Sequence, residues 1–347
     1  MRDWVKQLVR ERDLPDDGLL ALLETNDAGM LEALRTAARA VCDARYGKVV
    51  FIRGLIEFTN FCRNDCLYCG IRRSNAGAGR YRLTDETVLD CCARGYALGF
   101  RTFVLQGGED AHFTDERLCG LVSAIRRSHP DCAVTLSVGE RSRESYARLF
   151  AAGAERYLLR HETATPAHYA RLHPPELTLE TRMRCLNDLR EIGFQVGCGF
   201  MVGSPFQTDA EVVGDLRFIK TFAPHMVGIG PFIPHRATPF EGYTAGSADK
   251  TLRLLSIVRL LLPDVLLPAT TALGTVRGDG RELGILAGAN VVMPNLSPAD
   301  ARAKYTLYNN KRCTGDEAAE HLNRLNARLN AIGYHTQVSR GDSRMNL

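Results

Sequence analysis

The chain lacks a long apolar run, a block of one charge and an even set of cysteines, and each absence narrows what it can be. No stretch of about 20 apolar residues is present to cross a bilayer. The N-terminal MRDWVKQLVRERDLPDDG has no apolar h-region of a secretory signal. A cytoplasmic location is therefore expected. The 44 basic and 40 acidic residues nearly cancel, leaving a net charge of +4. With no Lys/Arg block, neither nucleic acid nor a membrane surface is expected as a partner. Repeats, low-complexity segments and a Pro/Gly/Ser linker are also missing. A chain of 347 residues with 45% hydrophobic content thus reads as one domain with a sizeable core. Eleven cysteines are odd in number for a disulfide framework, and the chain is far longer than the small scaffolds that need one. Reduced thiols fit better.

Eight short β-branched or aliphatic runs alternate with longer helical patterns. The runs are VVFIRGLIEF from Val49, TFVLQ from Thr102, AVTLSV from Ala133, RYLLR from Arg156, FQVGCGFMV from Phe194, MVGIG from Met226, VLLPA from Val265 and ANVVM from Ala289. Helical periodicity marks 88–98, 116–127, 144–151, 183–192, 210–222 and 252–262. Thr208 with Glu211 has the capping-box pattern, and Thr84 before Asp85 and Glu86 suits a helix start. Such alternation implies parallel strands joined by right-handed crossovers. The expected fold is α/β, a (β/α)8 TIM-type barrel over 49–310, with helical extensions at 1–48 and 311–347. A doubly wound sheet is the rival, but no G-x-G-x-x-G follows the first strand. A barrel keeps its active site at the C-terminal ends of its strands, so polar residues just after each run are the candidates.

Three cysteines break the dispersal of the others. FTNFCRNDCLYCGIRRSN sets Cys62, Cys66 and Cys69 in a C-x3-C-x2-C loop after the first strand, with Tyr68 before the last cysteine. A 4Fe-4S cube normally takes four thiolates, so a three-cysteine loop leaves one iron for a non-protein ligand. Zinc competes for such a loop, but it wants a His as well, and the nearest in sequence is His112. Chance or structural cysteines are the remaining alternative.

This spacing, placed at the first strand-to-helix turn, resembles the radical S-adenosylmethionine (SAM) superfamily. The resemblance implies that the methionine amino and carboxylate groups of SAM bind the free iron. Electron transfer from the reduced cluster then cleaves SAM to methionine and a 5′-deoxyadenosyl radical, with the protein supplying binding, orientation and water exclusion. Gln106-Gly107-Gly108-Glu109 after the second strand resembles the family motif that hydrogen-bonds the SAM amino group; alone, Gly-Gly there is only a turn. Glu162 and Arg182 match positions that bind the SAM ribose or amino-acid part. Ser137 matches a further SAM contact, and Ile229 matches the backbone platform for adenine. Both also suit plain core packing.

Several stretches narrow the resemblance to the HydE-type maturases of iron-iron hydrogenases: FVLQGGED, ERYLLRHETATP, MVGIGPFIPHRATP, LLPATTALGT and GANVVMPN. Methylornithine synthase and biotin synthase share the general plan. Polar groups at later strand ends are then the candidates for holding substrate: Arg160 and His161, Thr270 and Thr271, Met293 and Asn295. Arg160 suits a carboxylate held bidentately, and the threonine hydroxyls suit a second polar group. A lone His beside a strand is as often structural, so His161 stays open. Tyr305 and Tyr308 match family positions near the cavity, though tyrosines at that spacing are commonly core. The implied substrate is small or organometallic, a cysteine-ligated iron carrying carbon monoxide and cyanide. The implied partners are other hydrogenase maturases and an electron donor such as ferredoxin or flavodoxin. Two alternatives stay open: a methylornithine-synthase-like mutase, and a non-catalytic iron-sulfur carrier. Many relatives carry a second C-terminal cysteine group, whereas this chain has only Cys313 there, so a second cluster is not expected.

Overall fold

All eight apolar runs take their places in a ring of parallel pairings in the computed structural model, which describes residues 3–311 and 319–345. The first run divides at Arg53 into β1 (Val49–Ile52) and β2 (Gly54–Thr59). The next three are unbroken as β3 (Thr102–Gly107), β4 (Ala133–Ser137) and β5 (Ala154–Leu158). The fifth splits into β6 (Gln195–Cys198) and β7 (Met201–Val202), and the sixth into β8 (Met226–Val227) and β9 (Gly230–Pro231). Gly199 separates β6 from β7 with φ +152°, and any side chain there would collide with the Gly228 carbonyl. Only glycine lets the two backbones pass so closely. The seventh run pairs through single bridges, Met226 with Leu266 and Pro268 with Val291, because Pro268 has no N–H for a ladder. The eighth is β10 (Val291–Val292), and β11 (His335–Gln337) comes from the C-terminal extension.

Six strands pair in parallel in the order β2-β3-β4-β5-β6-β8. The Leu266 and Pro268 bridges carry the ring to β10, and β10 pairs with β1 while Asn295 pairs with Leu55. The sheet thus closes into the expected (β/α)8 barrel.

Residues paired directly in parallel strands share a face. One inward row is Leu55, Val104, Thr135 and Arg156; the next row toward the strand ends is Glu57, Gln106 and Ser137. The opposite faces, with Ile56, Phe58, Phe103, Leu105, Val134 and Leu136, are buried under the surrounding helices. Six of those helices, Asp85–Ala97, Asp115–Ser128, Arg143–Ala151, Leu179–Ile192, Asp209–Phe222 and Ala248–Leu261, share one starting device. Each begins at a Ser or Thr (84, 114, 142, 178, 208, 247) whose side chain accepts an N–H three residues on. Such a cap contributes about 1 kcal/mol and fixes where each loop at the active end gives way to helix. Thr208 and Glu211 complete the capping box read from sequence.

Helices Trp4–Glu11, Asp16–Glu24 and Ala28–Tyr46 form the N-terminal extension, the last packing on Ala248–Leu261. The C-terminal extension holds helix Leu322–Ala331, then adds β11 beside β1 in register Val49 to His335. Beyond it, the Arg340 carbonyl accepts from the Thr102 hydroxyl at 2.8 Å, and Asp342 pairs with Arg156. The tail thereby closes the barrel at the end away from the site. Cys313 lies outside the described residues.

Candidate functional site at the barrel mouth

The cysteine loop leaves the end of β2 and is pinned by backbone bonds from several directions. Arg63 N–H donates to the Glu109 carbonyl at 2.9 Å, Leu67 N–H to Leu172 at 3.0 Å and Gly70 N–H to Leu307 at 2.8 Å. Inside the loop, Asp65 accepts from Arg72 Nε at 2.7 Å and from the Ser74 hydroxyl at 2.8 Å. These bonds hold its carboxyl well below the usual carboxylate range. The buried Asn60 fixes the following turn, donating to the Gly79 and Lys304 carbonyls at 2.9 Å each. Gly108 packs beneath the loop: a Cβ there would lie 2.7 Å from Cys62 Cβ and collide with the Phe61 carbonyl oxygen. The Gly-Gly pair is therefore a packing requirement as well as a turn.

Cys62, Cys66 and Cys69 all line one cavity of about 320 Å³ at the C-terminal end of the strands. Burial raises all three thiols, Cys69 to about 12, and Cys66 is held well above its usual value by burial together with the neighbouring thiols. Three desolvated thiols that oppose one another's ionisation become thiolates together only around a positively charged centre. Among the described residues no three His, Cys, Asp or Glu side chains are arranged to hold a single metal ion. No His lines the cavity, so the imidazole that would complete a three-cysteine, one-histidine zinc site is missing from it. A loop of three thiols facing a roomy cavity suits a cluster held at three corners.

The cavity wall beside the cysteines is polar and ordered. Gln106, Gly107, Gly108 and Glu109 line it from β3 and Ser137 from the end of β4. Gln106 donates to the Tyr305 hydroxyl at 3.4 Å. The Glu109 carboxylate accepts from Arg63 Nε at 2.9 Å and from Glu140 N–H at 2.8 Å, joining the cysteine loop to the turn after β4. Arg182 reaches in from helix Leu179–Ile192, donating to Glu140 Oε1 at 2.6 Å and to the Arg160 carbonyl. Its burial disfavours the charge, but Tyr169 and Glu140 outweigh this and raise the guanidinium above its usual range. Arg160 and Glu162 follow β5 and form an ion pair at 3.0 Å. Tyr68 sits edge-on to His173, its hydroxyl 3.3 Å from Nε2, and burial lifts its pKa well above normal.

Thr270, Tyr305 and Tyr308 line the far wall with the apolar Met201 and Phe232. Thr270 also caps helix Thr271–Val276, accepting from Leu273 N–H at 3.4 Å. Other candidates do not reach the cavity. The His161 side chain is fully buried outside it, against Phe200 and Phe218, with Nε2 3.3 Å from Asp215. Thr271 starts its helix without lining the space. Met293 packs against a buried cluster that includes Met226, Leu266 and Val291 and does not line the cavity. Ile229 is buried, and its successors from Gly230 to Ile233 line the wall instead. Asn295 donates to Glu57 Oε2 at 2.8 Å inside the barrel. Sequence reasoning passed over Asn64, Gly139 and Glu140. The last two stand just after Ser137 at a strand end, and that position was the available signal.

A second cleft of about 500 Å³ lies next door, sharing Glu109 with the cavity and lined also by Glu140, but by none of the three loop cysteines.

Comparison with known proteins agrees with this geometry. A family model described as the Radical SAM superfamily matches residues 56–219, from β2 through helix Asp209–Phe222. The "[FeFe] hydrogenase maturase subunit HydE" of Thermotoga maritima is 43% identical over 90% of this chain and 88% of its own length. A 3-methylornithine synthase of Methanosarcina barkeri is 29% identical over 84% of this chain and 82% of its own. Among solved structures, methylornithine synthase (PylB) superposes with a TM-score of 0.82 at 25% identity, covering 96% of this chain and 97% of that one. With three cysteines at the mouth of a parallel barrel and these relatives spanning nearly its whole length, the chain belongs to the radical SAM superfamily and, within it, to the HydE family.

Proposed function

We propose that this protein cleaves SAM reductively and acts in assembly of the iron-iron hydrogenase active-site cluster, on a cysteine-ligated iron precursor carrying carbon monoxide and cyanide. The carrying observation is that Cys62, Cys66 and Cys69 share one cavity with Gly107, Gly108, Glu162 and Arg182. Members of the radical SAM superfamily use a 4Fe-4S cluster and SAM. When bound, the cluster supplies the electron that cleaves SAM to methionine and a 5′-deoxyadenosyl radical.

The residues of this chain do the rest. The three cysteines hold the cluster and leave one corner for SAM. Gly107 and Gly108 bring backbone close to the SAM amino group, with Glu109 bracing that turn against Arg63. Glu162 and Arg182 take the polar groups of the SAM ribose and amino-acid part, and Ser137 adds a hydroxyl. The backbone from Ile229 to Pro231 forms the adenine platform. Arg160, Thr270, Tyr305 and Tyr308 face the remaining space and hold substrate, while Met201 and Phe232 keep water away. We place the work in the cytoplasm, with an electron donor such as ferredoxin or flavodoxin and with partner maturases. No described helix is long and apolar enough to cross a membrane.

A mutase acting on an amino acid is the second reading, favoured by the full-length likeness to methylornithine synthase. The Arg160–Glu162 pair would suit a zwitterion. The two readings part in one experiment, in which reconstituted protein is given SAM and reductant, either with lysine or in a hydrogenase maturation assay containing the partner maturases. The maturase reading expects active hydrogenase and no methylornithine; the reverse would replace it with the mutase. An iron-sulfur carrier would release no 5′-deoxyadenosine in either.

A further inference from the structure

Glu162 is the one cavity residue, among those described, that is not glycine and yet has a positive φ, +66°. A side-chain-bearing residue enters the left-handed region only where its surroundings over-determine the backbone. Here they do. Glu162 N–H donates to the Gly199 carbonyl at 3.0 Å, and Gly199 N–H donates in turn to His161 Nδ1 at 3.3 Å. Because Nδ1 accepts, the ring proton sits on Nε2, which lies 3.3 Å from Asp215 Oδ1 as a close contact outside hydrogen-bond geometry. The same Asp215 oxygen accepts Ala164 N–H at 2.5 Å. Both side chains are fully buried, and Phe218 closes over the imidazole with ring centroids 4.6 Å apart. The two bonds thus grip the turn on either side of Glu162, one from the end of β6 and one from helix Asp209–Phe222.

We infer that His161 and Asp215 are positioning residues for Glu162: a buried clamp, remote from ligand, that holds the turn at 161–164 in the geometry aiming the Glu162 carboxylate into the cavity. This rests on the reading of Glu162 as a SAM contact. The clamp explains why a His follows Arg160 directly yet faces away from the cavity. It also gives Asp215, a fully buried acid on a helix otherwise apolar on its inner side, a task at the site.

A double-mutant cycle tests it, with SAM titrated into anaerobically reconstituted protein and iron content measured alongside. Asp215→Leu, which removes the oxygen that accepts Ala164 N–H, should weaken SAM binding at least tenfold with cluster content unchanged. In a Glu162→Gln background the same change should matter less than twofold, because the clamp acts only through that carboxylate. Equal losses in both backgrounds would make Asp215 a general structural residue and overturn the clamp. So would an unchanged affinity in Asp215→Leu alone. If Asp215→Leu does not fold, His161→Gln, which keeps a donor toward Asp215 and removes the acceptor for Gly199, goes through the same cycle with the same expectation. An unaltered affinity in Glu162→Gln alone would instead remove Glu162 from the SAM site, a failure distinct from that of the clamp.

Discussion

Arg182 carries two jobs that a single substitution would confuse. It reaches the cavity, and it neutralises the buried Glu140 at 2.6 Å. Arg182→Ala should weaken SAM binding roughly tenfold to a hundredfold. It should also lower stability by about 3–5 kcal/mol, since Glu140 is left as an uncompensated buried charge. Adding Glu140→Gln should restore the melting temperature and leave the SAM affinity low; recovery of both would reduce Arg182 to a structural role. At Gly108 one methyl group is enough. Gly108→Ala should prevent the cysteine loop from seating, read as loss of iron retention in protein that keeps its helical circular dichroism, and normal retention would refute the packing argument. These residues differ in how visible they were in the sequence. The Gly-Gly pair was legible because motif and strand-end position both marked it, and Arg182, inside helix Leu179–Ile192, only because it matches a family position that binds SAM. Glu140 was not, because its importance lies in the partner that helix Leu179–Ile192 brings to it from 42 residues away. His161 was singled out with its role left open between substrate and structure, since sequence does not tell which side of a strand end a side chain takes when the backbone turns left-handed.

Between elements, the segment from the cysteine loop to helix Asp85–Ala97 is tied down by Asp110 after β3. This carboxylate accepts from Arg82 Nε at 2.7 Å and Nη2 at 2.9 Å, and from the Thr59 hydroxyl at 2.7 Å. Burial works against its charge, but these partners outweigh that and hold its pKa below the usual value. A depressed folded-state value means the stabilisation is present above the unfolded carboxylate range, about pH 4, and is lost as pH falls through the folded value. Asp110→Asn should therefore lower stability by about 1–3 kcal/mol at neutral pH. The gap to wild type in thermal melts should narrow below about pH 4; a constant gap down to pH 2 would mean the carboxylate charge is not what matters. The positions of all eight barrel runs were legible because their apolar residues face helices. Their breaks were less so. Gly199 and Pro268 interrupt ladders for reasons of backbone contact and a missing N–H, which an apolar pattern conceals. Strand β11 was not legible at all: His335 and Gln337 are exposed and polar, and only pairing with β1 makes the segment a strand.

Taken whole, the barrel separates its two ends by chemistry. One end is sealed by β11 and the tail, where Asp342 answers the buried Arg156. The other gathers the cysteine loop, the Gly-Gly turn, the Glu162 turn and the Tyr305 to Tyr308 segment around one cavity. A radical formed at such a mouth is held among apolar walls and loops fixed by backbone bonds, so that positioning to within about 1 Å decides whether it meets its target. The proposed function requires the three loop cysteines to hold the cluster that makes this radical. Anaerobic reconstitution of wild type and Cys66→Ala, followed by dithionite and SAM, with iron, sulfide and 5′-deoxyadenosine measured together, tests that requirement. Wild type should carry about four irons and four sulfides and release 5′-deoxyadenosine, and the variant should do neither. Release of 5′-deoxyadenosine by Cys66→Ala, or none from wild type carrying its full iron and bound SAM, would contradict it.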